Sequence, residues 1–304
     1  MLTFFRDLFR NLFCRGNAEH IPASAAVETA PLIEEQPVSQ AAPVRFHPPQ
    51  LIVGSGQSVG MQRDHNEDTL VAMQAILADG NADLPFGIFI VADGMGGHLN
   101  GEIASGCAAR KLAEHLLSKL YEPFLSGQPD LDGESLHEVI EHGVGEAHRE
   151  VLKNAPGGGT TMTAAVVIGD EATIAHVGDT RAYFIYPDGR IQVMTQDHSL
   201  VKRLLDLGQI DEKEAIVHPQ RNVVYRALGQ SEPFRPDLKT YSLPDHGYLM
   251  LCSDGLWGSV PDQEMVRIVQ SSPHPAIGCH ELIEAANAAG GPDNISVILV
   301  QYLG

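Results

Sequence analysis

Between residues 2 and 13, apolar side chains recur every three or four positions. Leu2, Phe5, Leu8, Phe9, Leu12 and Phe13 share one side, and Arg6, Asp7, Arg10 and Asn11 interrupt them on the other. The spacing predicts an amphipathic helix. At 1.5 Å per residue it reaches only ~18 Å, too short to span a bilayer. Its expected use is contact with a membrane surface or a partner. A frayed tail is the bland alternative. Ala23-Ser24-Ala25 resembles a secretory cleavage site, but the charges within the apolar stretch argue against a leader. Residues 17–50 then hold six prolines and seven alanines without apolar periodicity, the composition of a disordered linker. The expected division is therefore an amphipathic segment 1–16, a linker 17–50 and a folded domain 51–304.

Within that domain, strand-like apolar runs occupy 86–92, 163–168, 172–177, 248–252 and 295–300. Residues 182–186 and 190–194 flank Pro187-Asp188-Gly189-Arg190, which predicts a hairpin. Helical spacing covers 102–120, 134–153, 262–270 and 276–289. Pro261 suits the first turn of the third helix, and Gly290-Gly291 ends the fourth. Strands and helices fall in blocks, so the expected class is a layered antiparallel α+β fold.

Composition narrows the chemistry. With 39 acidic against 20 basic residues, the formal charge is −19, which opposes binding of nucleic acid. It suits a site that gathers divalent cations, and equally a surface that is merely soluble. Cys14, Cys107, Cys252 and Cys279 form no CxxC pair and no zinc spacing, which points to a reducing cytoplasm. No GxxxxGK[ST] phosphate loop occurs. Gly56-Gln57-Ser58-Val59-Gly60 matches a nucleophile elbow, but MQRDHNED after it is a poor start for the helix an elbow needs.

The informative recurrence is an aspartate at the end of an apolar run. Asp93, Asp179 and Asp254 each follow one, and Asp293 precedes another. Singly, each reads as a turn residue. If three such ends converge, carboxylates ~5 Å apart repel by roughly 3 kcal/mol per pair at an effective dielectric of 20. Either their pKa values rise or a cation sits between them. Oxygen-only ligands favour Mg²⁺ or Mn²⁺. A second cluster, Arg63-Asp64-His65-Asn66-Glu67-Asp68, is either a charged turn or a phosphate-pairing arginine beside acids that hold metal-bound waters. In a third, Asp93-Gly94-Met95-Gly96-Gly97-His98, glycine lets a carbonyl such as that of Gly94 approach a metal. A flexible strand-to-helix loop is the alternative.

Taken in order along 54–300, the motifs resemble the metal-dependent Ser/Thr protein phosphatases, the protein phosphatase 2C family, in its bacterial form. They are Gly60-x-x-Arg63-x-x-Asn66-Glu67-Asp68, Ala92-Asp93-Gly94-Met95-Gly96-Gly97-His98, Gly101-Glu102-x-Ala104-Ser105 and Gly159-Thr160-Thr161. After them come Val177-Gly178-Asp179-Thr180-Arg181, Asp197-His198-Ser199, His218-Pro219-Gln220-Arg221, Ser253-Asp254-Gly255-Leu256-Trp257 and Asp293-Asn294.

The resemblance implies an α-β-β-α sandwich with two antiparallel sheets and a binuclear metal centre at one edge. Asp93 matches the carboxylate that bridges two Mn²⁺ or Mg²⁺ ions, and Gly94 a carbonyl ligand. Asp254 and Asp293 match direct ligands, and Glu67 and Asp68 ligands acting largely through water. Asp179 matches a ligand of the third ion found in bacterial members, shared with Asp254. Arg63 matches the phosphate-binding arginine, and about 197–228 a mobile flap. The implied reaction is hydrolysis of phosphoserine and phosphothreonine by a metal-bridging hydroxide, opposing a Ser/Thr kinase. Met95 stands where animal members carry a candidate acid histidine, leaving His98 or a metal-bound water for that role. A catalytically dead binding module and a non-protein phosphoesterase are the competing readings. A monomer is expected.

Overall fold

The computed structural model describes residues 45–78, 83–96, 99–126, 133–216, 218–230 and 234–304. The expected amphipathic segment 1–16, most of the linker and His98 lie outside them. Strand β1 (Gln50–Ser58) opens the domain, followed by β2 (Asp68–Ala78), β3 (Asp83–Met95), α1 (Leu99–Leu116), a π-helical turn (Leu117–Tyr121), α2 (Glu122–Ser126) and α3 (Leu136–Asn154). Next come β4 (Gly159–Thr160), β5 (Met162–Ile168), β6 (Glu171–Val177), β7 (Arg181–Ile185), β8 (Ile191–Val193), α4 (Leu200–Asp206) and α5 (Glu212–Ile216). The chain ends with β9 (Asp237–Ser242), β10 (Tyr248–Cys252), α6 (Asp254–Trp257), α7 (Asp262–Ser271), α8 (Pro275–Ala288) and β11 (Ile295–Leu303).

The strands form two antiparallel sheets. One runs β1-β11-β10-β7-β8; the other runs β2-β3-β5-β6-β9, with β4 paired to the end of β3. Successive strand residues face opposite sides, and each central strand divides its apolar residues between two cores. In β3, Phe89 and Val91 point into the layer between the sheets with Leu249, Leu251, Ile298 and Val300. Ile88, Ile90 and Ala92 point outward, under Leu112 and Leu116 of α1 and Ile140 and Val144 of α3. On the other sheet, Met250, Val297 and Leu299 meet Met265 and Ile268 of α7 and Leu282 and Ile283 of α8. The result is the expected four-layer α-β-β-α sandwich. Strands buried on both faces read as continuous apolar runs, which is why the central ones were visible in sequence.

Helix ends follow local chemistry. Ser135 caps α3 through a capping box: its hydroxyl accepts from the Glu138 amide at 3.2 Å, and its own amide donates to Glu138 Oε2 at 2.7 Å. Pro275 occupies the first turn of α8. Pro261 stands one position earlier than expected, as the cap residue before α7. The helical spacing read over 102–120 resolves into α1 and the π-turn.

Candidate metal centre

β2 and β3 pair so that Asp68 lies directly opposite Asp93. Directly opposed residues of an antiparallel pair share a face, and like charges there repel. Asp93 was expected just past the end of its strand. It lies inside β3 instead, because Gly94 and Met95 continue the ladder against Thr160 and Gly159 of β4. The Asp93 carbonyl accepts from the Thr161 amide at 2.9 Å and the Thr160 hydroxyl at 2.8 Å, which fixes the backbone there. Gly94 is required by close approach: a Cβ would meet the Gly101 carbonyl, and the Glu67 carbonyl at 2.6 Å.

The other sheet supplies the facing acids. Asp254 opens α6 directly after β10, and Asp293 stands two residues before β11. Asp179 lies in the β6–β7 turn, after Gly178 at φ 108°. A side chain at Gly178 would collide with Thr161.

Serines and an asparagine clasp the two sheets at this end. Ser253 and Ser296 both donate to Asp68 Oδ2, at 2.8 and 2.7 Å. Asn294 Nδ2 donates to the carbonyls of Val59 and His65, at 2.8 and 2.9 Å, and its Oδ1 accepts from the Glu67 amide at 2.8 Å. The loop carrying Arg63 and Glu67 is thereby stapled to the start of β11. Ser296 was not anticipated as a site residue. Its trace in sequence is a hydroxyl at an inward-facing position of an otherwise apolar strand, on the side of Ile298 and Val300. The elbow-like Ser58 ends β1, where its hydroxyl accepts from the Gly60 amide at 3.1 Å.

Electrostatics show how close the acids lie. Asp68 and Asp179 are buried. Asp93 and Asp254 keep partial solvent contact yet are ringed by protein atoms. Burial, with Asp254 and Asp293 nearby, pushes Asp68 up to about 7 despite the two serine hydroxyls. Burial, then the charges of Asp68, Asp254, Asp179 and Asp293, holds Asp93 well above the usual carboxylate range. Asp254 rises to about 6 through burial and Asp293, moderated by a hydrogen bond with Asp93 and by Arg63. Asp179 is raised by burial, then by Asp254 and Asp197.

Arg63 is half-exposed, with Nη2 2.7 Å from Asp293 Oδ2, so the expected phosphate ligand also answers the acidic cluster. Glu67 Oε1 lies 2.9 Å from His65 Nε2.

All the described acids expected at the centre are thus neighbours across the inter-sheet gap. They are not a finished coordination shell: among the described residues, no three Asp, Glu, His or Cys side chains close on one point. Asp254 and Asp93 do share a hydrogen bond. Among the described residues, the buried Oδ1 atoms of Asp68 and Asp254 also have no hydrogen-bond partner, a costly state for charged oxygens. Clustered carboxylates with orphan oxygens and no nitrogen or sulfur ligand suit hard cations such as Mn²⁺ and Mg²⁺, so these residues fit such ions.

Residues 63–276 match the family model for protein phosphatase 2C. The chain is 36% identical to the serine/threonine phosphatase stp of Listeria innocua over 248 residues, 80% of this chain and 92% of that one. Its fold is similar to the S. agalactiae serine/threonine phosphatase, with TM-score 0.70, 30% identity, and coverage of 83% of this chain and 99% of that one. It is also similar to the catalytic domain of the serine/threonine protein phosphatase PstP in complex with two manganese ions, with TM-score 0.67, 28% identity, and coverage of 84% and 100%.

Proposed function

The chain belongs to the protein phosphatase 2C family, and on that premise we propose how its residues divide the work of a metal-dependent enzyme hydrolysing protein phosphoserine and phosphothreonine. Asp93, Asp254 and Asp293, with the Gly94 carbonyl, would hold two Mn²⁺ or Mg²⁺ ions. Glu67 and Asp68 would act on them through water, and Asp179 with Asp254 would take a third. When bound, such ions would activate water as the nucleophile and offset charge on the phosphoryl group. The observation that carries this reading is the convergence of Asp68, Asp93, Asp179, Asp254 and Asp293 from both sheets, with buried oxygens left unpartnered.

Arg63 stands at the exposed rim, and its pairing with Asp293 aims it across the cluster. Its planar fork matches two phosphoryl oxygens. Ser253 and Ser296 hold Asp68 by one oxygen and leave the other without a hydrogen-bond partner among the described residues. His98 is retained as the candidate donor to the leaving alkoxide.

The substrates are phosphoproteins, and the natural counterpart is the Ser/Thr kinase that makes them. Residues 2–13 are a candidate contact with a membrane surface or a partner. Among the described residues, no helix is long and apolar enough to cross a membrane.

Hydrolysis of a phosphothreonine peptide, assayed beside para-nitrophenyl phosphate, tests the reading. Activity on the peptide should need Mn²⁺ or Mg²⁺ and vanish in EDTA. Metal-independent turnover, or hydrolysis confined to the small ester, would overturn it.

A further inference from the structure

Trp257 is the chain's single tryptophan. It ends α6, the one-turn helix that begins at Asp254. Its indole N–H donates to the main-chain carbonyl of Asp179 at 2.9 Å. The guanidinium of Arg181, two residues beyond Asp179, lies 3.6 Å from the indole centroid. That guanidinium is itself fixed. It donates to both oxygens of Asp197, at 2.9 and 2.7 Å, and to the Tyr183 hydroxyl at 3.2 Å.

These contacts close a ring. Asp254 leads through one helical turn to Trp257, the indole grips the Asp179 carbonyl, and Arg181, the first residue of β7 after the Asp179 turn, lies on the indole face. Two repelling carboxylates are thus tied by two separate contacts, neither of which uses a carboxylate oxygen. The buried Oδ1 of Asp254 has no hydrogen-bond partner among the described residues. A buried ion pair is a poor way to gain stability compared with packed apolar groups. Here the pair, with its arginine partly exposed, holds the guanidinium against the indole face.

We propose that Trp257 and Arg181 are positioning residues that fix Asp179 relative to Asp254 and so set the affinity of an ion held between them. The inference rests on the reading that these two carboxylates share an ion. Mn²⁺ and Mg²⁺ sites are sensitive to ligand spacing, so loosening the clamp weakens that ion selectively.

The test is a Mn²⁺ titration of the full chain, with free Mn²⁺ read by electron paramagnetic resonance and thermal melting in parallel. Wild type is compared with Asp179→Asn, Trp257→Phe and Arg181→Lys. Asp179→Asn should lose the weakest-bound ion. Trp257→Phe keeps a ring under Arg181 but removes the N–H, and should weaken the same ion by about five- to tenfold. The two tighter ions should stay within about twofold, as should their response to Arg181→Lys. In wild type, quenching of the Trp257 emission should follow occupancy of the weakest ion. If Asp179→Asn changes neither number nor affinity, the shared-ion reading fails and this inference with it. If Asp179→Asn loses the ion while Trp257→Phe and Arg181→Lys leave its affinity unchanged, the positioning role alone is overturned. Equal weakening of every ion with a lowered melting temperature also overturns it, since that marks general structural support.

Discussion

Two clusters of charge meet at Asp179, one on each side of the β6–β7 turn, and they are composed by opposite rules. Around Arg181 every charged atom is answered. The guanidinium has Asp197, Tyr183 and the face of Trp257. Nearby, His176 is buried and pulled down to about 3, hence neutral, with Thr163 on Nδ1 and the Gln196 carbonyl on Nε2. Around Asp93 the neighbours carry the same sign, two buried oxygens lack partners, and several carboxylates are held above their usual range. The first cluster holds the protein together. The second destabilises the bare protein and stabilises a cation. Removing a charge should therefore have opposite consequences in the two places.

The largest contrast is expected from Asp254→Asn. Turnover should fall by at least ~10³-fold, about 4 kcal/mol of transition-state stabilisation. Stability of the metal-free protein to urea should hold or rise, because a repelling charge is gone. A stability loss comparable to that of a core cavity would erase the distinction between the clusters. Asp197→Ala should do the reverse, costing about 1.5–3 kcal/mol in urea unfolding by removing both carboxylate hydrogen bonds from the partly buried Arg181.

Arg63→Ala separates rim from floor. Loss of the phosphate fork should lower kcat/KM on a phosphopeptide by ~10²-fold. The melting temperature should barely move, since a half-exposed pair contributes under about 1 kcal/mol.

The pH dependence of stability carries the same contrast. Asp68 titrates near 3.8 when unfolded and about 7 when folded, and Asp254 near 3.8 and about 6. Between these values the folded state binds more protons, so metal-free stability falls as pH rises from about 4 to 7. A drop of up to roughly 4 kcal/mol between pH 5 and pH 7.5 is expected from this source. Urea unfolding in EDTA at pH 5 and pH 7.5 measures it. Asp68→Asn should flatten the slope, and so should added Mn²⁺.

Much of this contrast could be read before folding, and what could not has a physical reason. β3, β5, β6, β10 and β11 are buried on both faces and stand out as apolar runs. β2 and β9 do not: β2 is half-buried along most of its length, and β9 alternates exposed Asp237, Lys239 and Thr240 with half-buried residues, as edge strands do. The flap expected over 197–228 contains α4, capped by the Ser199 hydroxyl accepting from the Lys202 amide at 3.3 Å. Its amphipathic stretch is too short to register as a period. Asp93, Asp254 and Asp293 announced themselves by interrupting apolar runs. Ser296 and the Trp257–Arg181 clamp did not, because their roles depend on which sheet face meets which, and a single strand's sequence does not carry that.

The central claim is that carboxylates gathered from both sheets become one site when divalent cations join them. Diffraction from crystals grown with Mn²⁺, recorded at the manganese edge, tests it most directly. Anomalous peaks within ligating distance of Asp93, Asp254 and Asp293 are the predicted result. Manganese bound elsewhere, with none of these three side chains as a ligand, would contradict the account.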